Sequence, residues 1–264
     1  MFKITSLVLG LFCALQTGCG TGQWVVEFGG NEHARQGMTE SDFDDGCSAS
    51  FSLLPVIIHG AILSDSSNFA IASTDIAPSV FNATFEEDLL LWESEVTAFQ
   101  YPAHRIHIAP AVLPGHQEGI TAEEAIGFST NNGAIGFYGE LTCPNGTVQF
   151  QWLFSPDEEL RCLENVKVPK DGRGVVRFQM DPSQIFRQSV YDQGSDLILG
   201  QPIVAADANN DGYITISELE SISLDSLEGY EDNEGDLINN LFKHIDALSE
   251  RALWVNDTRC TRFD

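Results

Sequence analysis

Within residues 207–218, Asp207, Asn209, Asp211, Gly212, Tyr213, Thr215 and Glu218 recur at spacings that fold oxygen donors around one point. A hard divalent cation such as Ca²⁺ takes roughly six to eight oxygens. Asp207, Asn209 and Asp211 offer side-chain oxygens from one side, Tyr213 its carbonyl, and Thr215 a hydroxyl, directly or through water. Glu218 closes the set with both carboxylate oxygens. Gly212 stands at the sharp turn, where a positive φ is costly for any residue with a Cβ, and Ile214 supplies an apolar plug. Ca²⁺ is the expected ion, because Mg²⁺ holds a stiffer octahedron at about 2.1 Å that suits a bidentate glutamate poorly. Gly200 and Pro202 leave only about one helical turn before the loop. Asp232, Asn233, Glu234, Gly235 and Asp236 are acidic but lack the spacing for a second loop. A lone loop of this kind is expected to be a structural staple, not a switch.

No other residues form a recognisable catalytic set, and the expectation is that the chain is not an enzyme. His104 and His107 are three apart in an expected strand, so alternation sends them to opposite faces, and they read as solvated or core-edge histidines. The sequence holds no G-x-S-x-G, H-E-x-x-H or G-x-x-x-x-G-K. Glu86 with Glu87 and Glu123 with Glu124 are adjacent, and spacing does not mark either as a hydrolytic pair.

The elements that must position the loop are mostly strands. In 148–154, Val148, Phe150, Trp152 and Phe154 share one face while Gln149 and Gln151 take the other, the pattern of a half-buried strand. Val176, Phe178 and Met180 alternate likewise. Ala49, Phe51 and Leu53, then residues 56–63, read as more fully buried strands broken at Pro55. Residues 89–92, 105–109 and 134–138 are further candidates, and Pro144, Asn145 and Gly146 mark a hairpin turn. Short strands at this frequency predict a mostly β fold: a β-sandwich-like domain over 19–180, with a barrel as the other closure the pattern allows. Residues 181–264 change character. There Leu237, Leu241, Ile245, Leu248 and Ala252 recur at helical spacing, which predicts an amphipathic helix capped by Asp236 and docked on the β domain together with the oxygen-rich loop.

The N-terminus carries Lys3 and then an apolar run over 4–15, too short for the roughly 20 residues that span a bilayer, so residues 1–18 read as a signal peptide. With 39 acidic against 13 basic side chains the formal charge is −26, which makes nucleic acid and anionic lipid poor partners. Hydrophobic residues at 43% and 17 Phe separate the chain from acidic disordered proteins. Once Cys13 leaves with the signal and Cys19 is set aside, Cys47, Cys143, Cys162 and Cys260 remain. In an oxidising compartment four cysteines imply two disulfides. Spacing alone does not rank the three connectivities; the expectation is Cys47 with Cys143 and Cys162 with Cys260, the latter clamping the tail.

Residues 207–218 resemble EF-hand loops, which implies a single Ca²⁺ site. Gly18 before Cys19, following the apolar run, resembles the lipobox of bacterial lipoproteins. That resemblance implies cleavage before Cys19, acylation of its sulfur and a lipid tether to the membrane, at the outer membrane or cell surface or within the periplasm. The whole layout resembles a group of predicted Gram-negative lipoproteins in which a β-rich region opening with an acidic F-x-D-G segment precedes one EF-hand loop and a C-terminal helix near a cysteine. Here those features are Phe43-Asp44-Asp45-Gly46, residues 207–218 and Cys260. The group implies no activity. The expected role is a calcium-stabilised binding or adhesion module for a protein or glycan partner, with a structural envelope protein or a secreted hydrolase as alternatives.

Overall fold

A computed structural model describes residues 20–64, 70–73, 77–111, 116–190, 197–230, 238–255 and 258–262. Cys19, residues 1–18, Leu237 and the acidic run 232–236 therefore lie outside the described residues. The chain is mostly β, with curled sheets.

Of the two main sheets the smaller has five strands among the described residues, and a separate two-stranded ribbon pairs Phe99–Tyr101 with Val166–Val168. In the five-stranded sheet Thr21–Gly30 pairs parallel with Arg173–Met180, the central strand, and antiparallel with Leu89–Thr97 at one edge. Arg173–Met180 buries Val176, Phe178 and Met180 as their alternation predicts. Leu253–Val255 and Thr258–Arg259 extend the sheet beyond it. Leu89–Thr97 runs five residues past the segment expected from its apolar start, because Glu93, Ser94 and Glu95 lie on a strand with little buried surface.

The larger sheet follows the path Tyr213–Ile214, Gly146–Phe154, Ile135–Cys143, Pro55–Ser64, Ala103–Ile108, Glu158–Cys162 and Thr261–Arg262, with side branches. Gly146–Phe154 alternates as expected, burying Val148, Phe150, Trp152 and Phe154. Each such side chain contributes about 1.5–3 kcal/mol over exposure. Cys143 pairs with Gly146 across the tight turn formed by Pro144 and Asn145. Pro55–Ser64 is almost wholly buried, but Ser48–Leu53 is only half-buried, with Ser50 and Ser52 outward. The break between them falls at Leu54, and Pro55 opens the next strand, where its missing N–H costs no ladder bond.

One hydrophobic core joins Trp24, Phe28 and Val56 to Ile203, Leu219, Leu241 and Leu253, so the C-terminal segment packs into the same interior as the strands. Its main helix is Leu241–Ser249, with Asn240 as N-cap accepting the Lys243 amide at 2.9 Å. It therefore starts after Asp236, the cap expected from the sequence: a glycine followed by an acid precedes it, but the polar cap that holds the amide is Asn240. Leu241, Ile245 and Leu248 face inward as predicted. A second helix, Ala122–Thr130, interrupts a stretch read as all β, and its start is a Thr121/Glu124 capping box. No helix among the described residues is long and apolar enough to cross a membrane.

Candidate functional site

The loop begins directly after the single helical turn Gln201–Val204. Its acidic and amide side chains curl back on its own backbone: Asp207 Oδ1 accepts the Asp211 amide at 3.2 Å and Oδ2 accepts that of Gly212 at 3.0 Å. Asn209 Oδ1 also accepts from Asp211 at 2.8 Å, and Asp211 Oδ1 accepts from Tyr213 at 2.8 Å. These bonds hold Asn210 and Gly212 at φ +55° and +78°. A Cβ on Gly212 would meet nothing within 4 Å, so glycine is needed there for conformation, not for space. Thr215 and Glu218 then form a capping box that starts the helix Ile216–Ser221.

The loop is also welded to the large sheet. Tyr213–Ile214 pairs parallel with Gln149 and Phe150, the Gln149 amide donates to the Gly212 carbonyl at 2.8 Å, and the Trp152 indole N–H donates to the Ile214 carbonyl at 3.3 Å. Ile214 is buried, as an apolar plug must be, while Tyr213 stays half exposed. The short strand that a lone loop cannot pair with a second loop pairs instead with the sheet edge.

No protein-family model, curated protein or solved structure matches this chain. Any reading of the loop rests on its own geometry.

Among the described residues no three His, Cys, Asp or Glu side chains stand close enough together to hold a metal ion. Of the six expected ligands, Asn209, the Tyr213 carbonyl and Thr215 are neutral oxygen donors outside that class, and the carboxylates of Asp207 and Asp211 are turned to backbone amides. An ionised carboxylate offers about four lone-pair sites, so accepting one amide leaves room for a cation. The three acids of the set, Asp207, Asp211 and Glu218, fall within that class and are not gathered into one cluster; of them Glu218 keeps an unpartnered oxygen. Its Oε2 accepts from the Thr215 amide at 2.9 Å and hydroxyl at 2.8 Å, whereas Oε1 is buried with no hydrogen-bond partner. A buried carboxylate oxygen without a donor is costly unless a cation satisfies it.

The acidic segment Phe43-Asp44-Asp45-Gly46 anchors the loop's entry. Asp45 Oδ2 accepts the amides of Gly200 and Gln201 at 2.8 and 2.7 Å, capping from afar a helical turn that has no cap of its own. The Asp45 carbonyl accepts from Gln201 Nε2 at 2.9 Å, and Asp44 Oδ2 accepts from the Ile198 amide at 2.8 Å. Phe43 packs edge-on against Phe186 with ring centroids 5.1 Å apart. Next in line, Cys47 bonds to Cys143 and lies so close to Gly200 that a Cβ there would sit 2.8 Å from its sulfur. Asp45→Ala frees two helix-start amides and is expected to cost about 1–2 kcal/mol, read as a lower urea midpoint. Asp45→Asn should recover part of the loss, and a midpoint unchanged in Asp45→Ala would remove the anchoring role.

The four cysteines pair as expected, Cys47 with Cys143 and Cys162 with Cys260. His104 and His107 do face opposite ways on Ala103–Ile108, but His104 is fully buried instead of sitting at a core edge, because it shares the inward face with Ile106 and Ile108. Burial pushes its pKa down to about 4, against an opposing contribution from the Glu164 backbone. His107 is half exposed and bonds Asp157 at 3.0 Å. Glu86, Glu87 and Glu123 are exposed, and Glu124 caps a helix, so neither glutamate pair faces a cleft. An ionic cluster missed by sequence joins His33 to Asp181 at 3.4 Å and to Asp42 at 3.7 Å. Its members lie far apart in the chain, and no local spacing marks it. The hydrogen bond to Asp181 raises the His33 pKa against burial. For Asp181, burial works upward, but bonds from His33, Ser183 and Gln184 outweigh it and bring the carboxyl down to about 2.

Proposed function

We propose that this chain is an exported envelope protein, tethered through an acylated Cys19, whose β-sandwich is steadied by one Ca²⁺ held in residues 207–218 and serves as a binding or adhesion module. The ligands are Asp207, Asn209, Asp211, the Tyr213 carbonyl, Thr215 and Glu218. The observation that carries the calcium reading is the buried Glu218 Oε1 without a donor, beside a turn already held in the conformation that Gly212 permits. An all-oxygen donor set favours a hard cation over zinc or copper, and a chain of charge −26 gains further from a bound divalent ion. Because the loop shares ladder bonds with the large sheet, the ion acts on the stability of the sheet edge as well as on the loop.

Calcium titration calorimetry and melting curves test this. Extracellular modules of this kind bind at about 10⁻⁴ to 10⁻³ M. At a free concentration about 100 times Kd, occupancy adds ~2.7 kcal/mol, which raises the melting temperature of a domain this size by roughly 5–10 °C. Glu218→Gln keeps an acceptor for Thr215, so its melting temperature without calcium should stay within about 2 °C of the parent, while the calcium-induced rise disappears. Absence of heat and of any melting shift for the parent chain at about 100 mM calcium, 100 times the weaker of those constants, would end the proposal.

A further inference from the structure

On the outward side of the large sheet, one row of side chains crosses four strands in register. Ser50 pairs with Glu140, Glu140 with Gln149, and Gln149 with Tyr213, the last from the loop itself. At the spacing of adjacent strands the row spans roughly 14 Å. A second row lies beside it, where Tyr138 pairs with Gln151 and Ser52 sits at a register shift, its hydroxyl donating to the Tyr138 carbonyl at 3.3 Å. Together the rows line a depression of about 280 Å³. The extra residue bends the sheet at that point, and bulges do this by raising local twist.

The lining excludes most ligand classes. No Lys, Arg or His contributes to it, Glu140 adds a carboxylate, and the chain as a whole is strongly acidic, so an anionic ligand is repelled. Exposed amides and hydroxyls make it too polar for a lipid or a drug-like apolar molecule. A peptide adding as a strand needs a free backbone edge. Here the backbones of Gln149 and Glu140 are paired on both sides, and the depression is a sheet face. A cation would be drawn to Glu140 alone and would leave the amides and hydroxyls of both rows unused, whereas a neutral ligand rich in hydroxyl groups engages them together. Gln149 offers a carbonyl acceptor and two N–H donors, and Gln151 those not engaged with the Tyr138 hydroxyl, the match for hydroxyls that both donate and accept. Tyr138 and Tyr213 add amphipathic rings that cover the C–H face of a sugar at low entropic cost.

We infer that this face binds neutral saccharides. Tyr213 joins it to the calcium loop, since the residue whose carbonyl is an expected ligand also contributes its ring to the depression. Calcium and saccharide therefore strengthen each other's binding by the same factor. That coupling rests on the calcium reading above; the saccharide chemistry does not.

The test probes an array of neutral, sialylated and sulfated oligosaccharides with the purified full chain in calcium, then titrates the strongest neutral saccharide into the parent, Gln151→Ala, Tyr213→Ala and Tyr213→Phe. Gln151→Ala and Tyr213→Ala should each weaken binding about tenfold or more, with melting temperatures held close to the parent because both side chains are exposed. Tyr213→Phe keeps the ring and should recover most of the affinity. Calcium heat should be unchanged in Gln151→Ala, which lies outside the loop. Recognition confined to anionic glycans, recognition of none, or neutral binding indifferent to both alanine variants would overturn the site. Neutral binding that falls in Gln151→Ala yet is equal in calcium and in chelator supports the site and overturns only its link to the ion.

Discussion

Replacing Cys47 and Cys143 together with alanine should lower stability by about 2–5 kcal/mol. The bond closes a sequence separation of 96 residues, and Cys162–Cys260 closes one of 98. Chain entropy grows only with the logarithm of loop length, so it assigns the two bonds nearly the same effect. Any difference between the two double variants must therefore come from contacts in the folded state. Those contacts differ sharply. Cys47 follows the Asp45 anchor and touches Gly200 at the mouth of the oxygen-rich loop, whereas Cys162 pairs across strands with His104 and ties down the tail. Loss of Cys47–Cys143 should consequently weaken calcium binding as well as lower the urea midpoint, and loss of Cys162–Cys260 should lower the midpoint alone. Equal calcium affinity in both variants would show that the anchor holds without its disulfide.

Acid should destabilise the chain from about pH 6.5 downward, before most carboxylates begin to protonate. His104 is neutral when buried, with a pKa of about 4 against 6.5 when free. The unfolded chain therefore binds a proton that the folded chain refuses throughout that interval. Stability falls as pH drops from 6.5 to 4, by about 3 kcal/mol at the end. Two other shifted groups reach into this window with opposite signs: Asp246, raised by burial, adds stability as pH falls through its folded value, and Glu124, lowered by its bonds to Thr121, starts to lose its contribution below 4.5. The stabilisation from His33, whose pKa is raised, is fully present below 6.5 and is lost as pH climbs through its folded value. That from Asp181 is present above 3.8 and is lost as pH falls toward 2. Urea unfolding at pH 7 and pH 4.5 should show the slope, and His104→Gln, which cannot take the proton, should flatten it. A slope that survives in His104→Gln would assign the acid sensitivity to some other group.

The parts of the molecule that were readable in advance are those whose signal is local. Residues 148–154 declare their buried face by strict alternation, and Gly212 declares a tight turn within residues 207–218. Tertiary partnerships leave no such trace. Asp45 caps Gly200 and Gln201 across 155 and 156 positions, so the acidic segment around it looked like a motif without a task until the fold supplied its partner. His33 and Asp181 meet across 148 positions for the same reason. The helix Ala122–Thr130 was legible in principle from Thr121 and Glu124, three apart, but its surroundings of short strands masked it. The helical spacing predicts a helix through Ala252, but the helix ends at Ser249: Glu250–Ala252 tightens into a 3₁₀ turn, and Leu253–Val255 then adds to the smaller sheet. The saccharide-facing rows escaped notice because each strand gives only one or two of their members, and register alone assembles them.

The pairing of Tyr213–Ile214 with the Gly146–Phe154 strand has one more consequence. It occupies the Gln149 main-chain N–H at the margin of the large sheet, next to a strand whose inward side is Val148, Phe150, Trp152 and Phe154. A bare margin of that composition is a template on which neighbouring molecules stack into polymers. Whatever loosens residues 207–218 thus uncovers a seam at which copies of this protein could join, and the loop doubles as a cover over that margin.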